Sequence, residues 1–98
     1  MKNINDVAGG KLKETGTTHW SAPNEVATNS SGFTALPGGD RGSGGTFSTI
    51  DYDGSWWSSS EYSATSAYYR DMGHSSSGVS RGGGSKLDGF SVRCLRDL

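Results

Sequence analysis

The feature that most limits what this chain can fold into is its scarcity of aliphatic side chains, set against aromatic rings spaced through glycine and serine. Of 98 residues, 31% are hydrophobic and 16 are glycine, while three Trp, four Tyr and three Phe supply the largest apolar surfaces. So little Leu, Ile and Val leans toward disorder. Two observations oppose that. The net charge is only -1, so self-repulsion does not hold the chain open. The rings also recur at intervals along the Gly/Ser background, unlike a flexible linker, and each buries enough area to build a core. The length allows one domain, 1–98, with a small core.

The near-zero charge, with no run of Lys or Arg, excludes the usual footprint of a nucleic-acid binder. No stretch is apolar for long enough to span a bilayer, so no direct membrane insertion is expected. Met1-Lys2-Asn3-Ile4-Asn5 opens without the apolar segment of a signal peptide, which for a piece of a longer protein does not exclude export. The one cysteine, Cys94, cannot form an internal disulfide and is expected as a small buried hydrophobe in a strand. No catalytic, metal or cofactor site is expected. His19 and His74 lack metal-type partners at ligand spacing. Gly82-Gly83-Gly84-Ser85-Lys86 lacks the residue order of a phosphate loop. Asp40, Asp51 and Asp53 lack the spacing of a calcium loop. No serine stands in a nucleophile elbow. Asn29-Ser30-Ser31 fits a glycosylation triplet that is common by chance.

Read for local structure, Val7 to Glu14 is a weak amphipathic stretch broken by Gly9-Gly10. His19 to Asn24 is a loop with Trp20 as anchor, Asn24 to Asn29 a helical turn, and Phe33 to Gly39 a short apolar run closed by a turn. Strands are expected at Thr46–Ile50 and Ser55–Ser60, joined by an Asp53-Gly54 hairpin turn, and at Ala67–Met72. Ser77–Arg81 is a weak strand, Gly82–Ser85 a loop, and Gly89–Leu95 the clearest strand. The fold class is therefore α+β: short antiparallel strands, long irregular loops and one or two short helices near the N-terminus.

Five separated pieces carry a resemblance. They are Trp20-Ser21-Ala22-Pro23-Asn24, the run from Asn29 to Arg41, Trp56-Trp57-Ser58-Ser59-Ser60-Glu61, Ala67-Tyr68-Tyr69-Arg70, and the run from Gly89 to Asp97. In this order and spacing they resemble the Fibrobacter succinogenes major paralogous domain of Bacteroidetes and related bacteria, from about Gly10 onward. Asp40 departs from the pattern, where the family often has an aromatic. The family's further N-terminal portion is not recognised here, so a C-terminal part of a longer domain, or a reduced version, is expected. The resemblance implies a C-type-lectin-like fold. It also implies a kinship with variable proteins of diversity-generating retroelements, in which error-prone copying at adenines, mostly in Asn codons, rewrites the C-terminal part of a gene.

On that reading 40–88 carries a variable surface and 89–98 a fixed closing strand. An AAC codon mutated at its adenines cannot reach Lys, Glu, Gln, Met or Trp. Trp56, Trp57, Glu61, Met72 and Lys86 are of those types and fall where the frame should be. Together with Tyr69, Phe90, Val92 and Leu95, the tryptophans would hold the frame. The interchangeable, ligand-facing positions would be Tyr62, Ser63, Ser66, Asp71, Gly73, His74, Ser75, Ser76, Gly78, Ser80, Gly82, Gly83, Gly84, Ser85 and Asp88, residue types that adaptable binding surfaces favour. A secondary set is Gly42, Ser43, Ser48, Asp51, Tyr52, Asp53 and Ser55. The expected function is non-enzymatic ligand binding on a phage virion or bacterial cell surface. The partner would be a bacterial surface protein or glycan, and the chain could be oligomeric. The rivals are an undiversified adhesion or carbohydrate-binding domain and a formylglycine-generating-like enzyme. The lone cysteine speaks against the enzyme.

Overall fold

A computed structural model describes residues 5–94. The described residues begin with a helix, α1 (Asn5–Leu12), with Asp6 in its first turn and Lys11 in its last, charges placed to favour the helix dipole. Gly9-Gly10 does not break it. Both glycines are buried because two loops press on them. A β-carbon at Gly9 would lie 2.2 Å from the Gly78 carbonyl oxygen, and one at Gly10 2.3 Å from that of Val26. The backbone of Gly10 serves both loops, donating to Ser77 O at 3.1 Å and accepting from Thr28 N at 2.7 Å.

From Lys13 to Gly39 the chain is almost entirely irregular and is held by side chains reaching backbone. Trp20, fully buried, donates its indole N–H to Ala35 O at 2.9 Å. Asn24 donates to Glu14 O at 2.9 Å and Gly16 O at 2.6 Å. Ala35 is stitched to the end of the helix through Leu12 O and Glu14 N. Within this segment Val26 (φ 49°) and Thr34 (φ 55°) adopt left-handed backbone, where a β-branched residue is strained.

Two antiparallel sheets follow. The smaller pairs β1 (Asp40–Arg41) with β2 (Phe47–Ser48), so the strand expected at Thr46–Ile50 shrinks to two residues. The larger has the order β3–β4–β5, from β3 (Asp53–Glu61), β4 (Ser66–Gly73) and β5 (Ser80–Ser85). Three expectations are corrected. Asp53-Gly54 begins β3 and is not a hairpin turn; the turn is Thr49–Tyr52, made with left-handed Thr49 (φ 61°) and Asp51 (φ 72°). Gly82–Ser85 is strand, not loop, because rings stand where side chains would be: a β-carbon at Gly82 would meet the Tyr69 ring at 2.8 Å and one at Gly84 the Phe90 ring at 3.0 Å. Gly89–Leu95, expected as the clearest strand, gives only isolated bridges among its described residues, Gly89 to Arg41 and Ser91 to Trp56. Alternate residues bond to different neighbours, so no ladder runs, and Leu95 lies outside the described residues.

The core lies where the irregular half meets β3 and β4. Trp20, Ala35, Trp56 and Met72 are buried, with Leu12, Phe33 and Val79 packed on them. Lys13 is as buried as Trp20. Its ammonium donates to Gly73 O at 2.9 Å and Ser76 O at 2.8 Å and lies 5.4 Å from the centre of the Trp20 ring. Val92 is 68% exposed, so it is no part of the core. Cys94 is exposed rather than buried, because the described residues 89–94 form isolated bridges and no continuous strand that could be covered.

Candidate functional site

The register of the larger sheet sorts its side chains by face. Trp56, Arg70 and Arg81 share one cross-strand row, and Gly54 with Met72 and Tyr68 with Gly83 share the same side. Trp57, Tyr69 and Gly82 form a row on the other side, as do Ser55, Asp71 and Ser80.

On the second face the half-buried rings Trp57 and Tyr69 pack against Phe90 at centroid distances of 4.4 and 4.9 Å. Beside them Asp71 sits near Asp53 and accepts a hydrogen bond from Ser80. Its carboxyl is pushed above the usual carboxylate range, first by burial and then by the Asp53 charge, with the Ser80 bond opposing.

On the first face two features adjoin at Arg70. Toward the helix, a cavity of about 380 Å³ is walled by Leu12, Phe33, Trp56, Met72 and Val79, with Arg70 and Arg93 among its lining. Arg93 stacks 4.2 Å from the Phe33 ring and donates to Phe33 O at 3.0 Å. Toward the open end, a cavity of about 230 Å³ lies between Ser58, Ser60, Tyr68, Arg70 and Arg81. The serines are there because β3 slips register between Trp57 and Glu61, where three residues face the single Tyr68. Such a bulge re-aims side chains.

The positions expected to face a ligand fall in separate places. Tyr62, Ser63, Ser66 and Ser85 gather at the turn joining β3 to β4, where Tyr62 N and Ser63 N both donate to Ser66 O. The Tyr62 ring lies over Gly83 and 5.2 Å from Tyr68. Glu61 and Lys86 close this end as an ion pair, and the bond to Lys86 lowers the Glu61 carboxyl. Gly73, His74, Ser75, Ser76 and Gly78 lie at the opposite end of β4, about 23 Å away at ~3.3 Å per residue. That turn is tied down. Lys13 holds it from below, Ser77 Oγ donates to Asp6 O, and the His74 ring meets Ala22 O and Tyr52. Asp71, Ser80, Gly82 and Gly84 belong to the second face. Asp88 is apart from all of these, accepting from Ser43 Oγ at 2.6 Å. Of the secondary set, Ser55 is buried and does not face outward.

Sequence reasoning missed Lys13, Tyr68, Arg70 and Arg81. The alternation Tyr68-x-Arg70-x-Met72 was the signal available for two of them, because it puts Arg70 on the side of a buried methionine. Nothing local marks Lys13 as a core residue. Burial lowers the pKa of its ammonium, with Glu25 opposing. Among the described residues no group of His, Cys, Asp and Glu is arranged to hold a metal ion, and no helix is long and apolar enough to cross a membrane.

Taken together the chain is a small α+β domain, with one short helix and antiparallel sheets among the described residues. It matches the Fibrobacter succinogenes major domain over residues 1–96, further toward the N-terminus than its quoted motifs reach, and it belongs to that family. No curated protein and no solved structure matches it.

Proposed function

We propose that this domain is a non-enzymatic ligand binder on a C-type-lectin-like frame. In this reading it is a variable protein of a diversity-generating retroelement, displayed on a phage virion or a bacterial cell surface, and it recognises a bacterial surface protein or glycan. One observation carries the reading. Between Glu61 and Gly89 the only buried residue is Met72, a type that adenine mutation of an Asn codon cannot reach. None of the fifteen candidate positions is buried. A surface rewritten without loss of fold needs that separation of core from contact residues.

A second reading, an undiversified adhesion or carbohydrate-binding domain, is favoured at Gly82 and Gly84. Any side chain there displaces Tyr69 or Phe90, so these two positions behave as frame. Resequencing the gene across closely related isolates tests both readings. Diversification puts amino-acid replacements at Tyr62, Ser63, Ser66, Ser75, Ser80 and Ser85 and spares Trp56, Met72 and Lys86. Replacements scattered evenly, or mostly silent, would leave only the second reading.

A further inference from the structure

Arg70 and Arg81 face each other across β4 and β5 on the same side of the sheet. Like charges directly opposite in a ladder are destabilising. An acid paired with either arginine would relieve this repulsion. Among the described residues neither guanidinium makes an ion pair or a hydrogen bond: the ion pairs are His19–Glu14 and Lys86–Glu61. The carboxylate next in sequence, Asp71, points to the other face. The guanidinium of Arg81 lies 5.0 Å from the Tyr68 ring centre, a cation–π contact that holds it beside Arg70. Both arginines line the 230 Å³ cavity, whose third wall is the bulged segment carrying the Ser58 and Ser60 hydroxyls. The Tyr62 ring, 62% exposed, stands beside it edge-on to Tyr68.

We propose that Arg70, Arg81, Tyr68, Ser58 and Ser60 form a binding site for the carboxylate of an acidic saccharide. Two guanidinium forks suit a planar carboxylate, which takes paired N–H bonds. Serine hydroxyls suit neighbouring sugar hydroxyls, and the exposed Tyr62 ring offers an apolar face to a pyranose. The ligand's charge relieves a repulsion that the free protein carries, so binding and stability oppose each other at this site. The inference rests on reading the chain as a binding domain but not on diversification, because neither arginine is among the candidate variable positions.

The test is titration of the full chain with trigalacturonate, with galactotriose and inorganic phosphate as parallel probes, followed by backbone amide shifts. Trigalacturonate is expected to shift amides around Ser58–Ser60, Tyr68–Arg70 and Arg81. Its affinity should fall at least tenfold when salt rises from 0.1 to 1 M, and galactotriose should bind at least tenfold more weakly. Arg70→Gln and Arg81→Gln are each expected to weaken binding about tenfold. Arg81→Lys, which keeps the charge but loses the fork, should weaken it less. Arg70→Gln should also melt no lower than the parent, the mark of a residue kept for a ligand and not for the fold. Equal binding of the neutral and acidic trisaccharides overturns the proposal, as does phosphate binding without trigalacturonate binding. Trigalacturonate affinity unchanged in Arg70→Gln and Arg81→Gln sinks this site and leaves the binding-domain reading standing.

Discussion

The two halves of the domain solve the shortage of aliphatic residues in opposite ways. Residues 5–52 have one helix and two two-residue strands, yet they contain Lys13, Trp20, Asn24 and Ala35, all deeply buried. Residues 53–85 form a regular three-stranded sheet in which only a few side chains, Ser55, Trp56 and Met72, are buried. The irregular half is a polar-stitched core, with side-chain donors saturating loop carbonyls. The regular half is a scaffold of backbone ladders, glycine and half-exposed rings. The lesson is that regular structure and burial need not coincide. Substitutions in the irregular half should cost stability, and most in the sheet should not.

The largest effect expected is at Trp20. Trp20→Ala removes the largest fully buried ring and the donor to Ala35 O, and is expected to cost about 3–5 kcal/mol in denaturant unfolding. For a domain this small, that is a large fraction of its stability. Lys13→Ala comes next, at about 2–3 kcal/mol, from the emptied space and two carbonyls left without their donor. Its pH signature separates it from an ordinary cavity. Burial lowers the Lys13 pKa, so above the folded-state value the unfolded chain binds the extra proton and stability rises with pH toward the usual lysine range. Lys13→Met should lose that rise, and Trp20→Ala should keep it. If both variants melt like the parent, the contrast between the halves is wrong.

A third substitution reverses the sign expected from propensity. Alanine is the better helix former, worth about 1 kcal/mol over glycine in a helix interior. In α1, however, a methyl at Gly9 or Gly10 would meet a carbonyl oxygen at 2.2 or 2.3 Å. Gly9→Ala and Gly10→Ala are therefore expected to destabilise by about 1–3 kcal/mol through overpacking. The counterpart in the sheet is Ser63→Asn, at an exposed turn position, expected within about 0.5 kcal/mol of the parent. Thermal melts of the three, side by side, sharpen the comparison.

This pair of glycines also shows how far the sequence could be read. Gly9-Gly10 looked like a helix breaker because propensity is local, while the loops that use it arrive from Val26 and Gly78. Gly82–Ser85 looked like a loop for the same reason; the rings that fill its surface come from Tyr62, Tyr69 and Phe90. What was legible was what local pattern decides: a strand around Ala67–Met72, a strand through Trp56, and Met72 and Trp20 as anchors. Lys13 was illegible because its partners, the carbonyls of Gly73 and Ser76, lie some sixty residues away. Of the candidate positions, the sequence could say which residue types are exchangeable. It could not say that β4 would send Ser66 and Gly73 to opposite ends of the sheet.

The smallest expected effect falls in the sheet and runs against the usual cost of losing a charge. Burial and the Asp53 charge raise the Asp71 pKa, and the Ser80 hydroxyl only partly offsets them. Between the unfolded-state value and the raised folded one, the native state holds the extra proton, so stability falls as pH rises through that window. At neutral pH the ionised Asp71 is a standing cost. Asp71→Asn keeps the shape and removes the charge, so it should melt slightly higher than the parent at pH 7 and no higher at pH 3. A lower melting temperature at pH 7 would mean that the carboxylate is needed by its neighbours. The second face of the sheet would then carry polar stitching of the kind assigned to the irregular half.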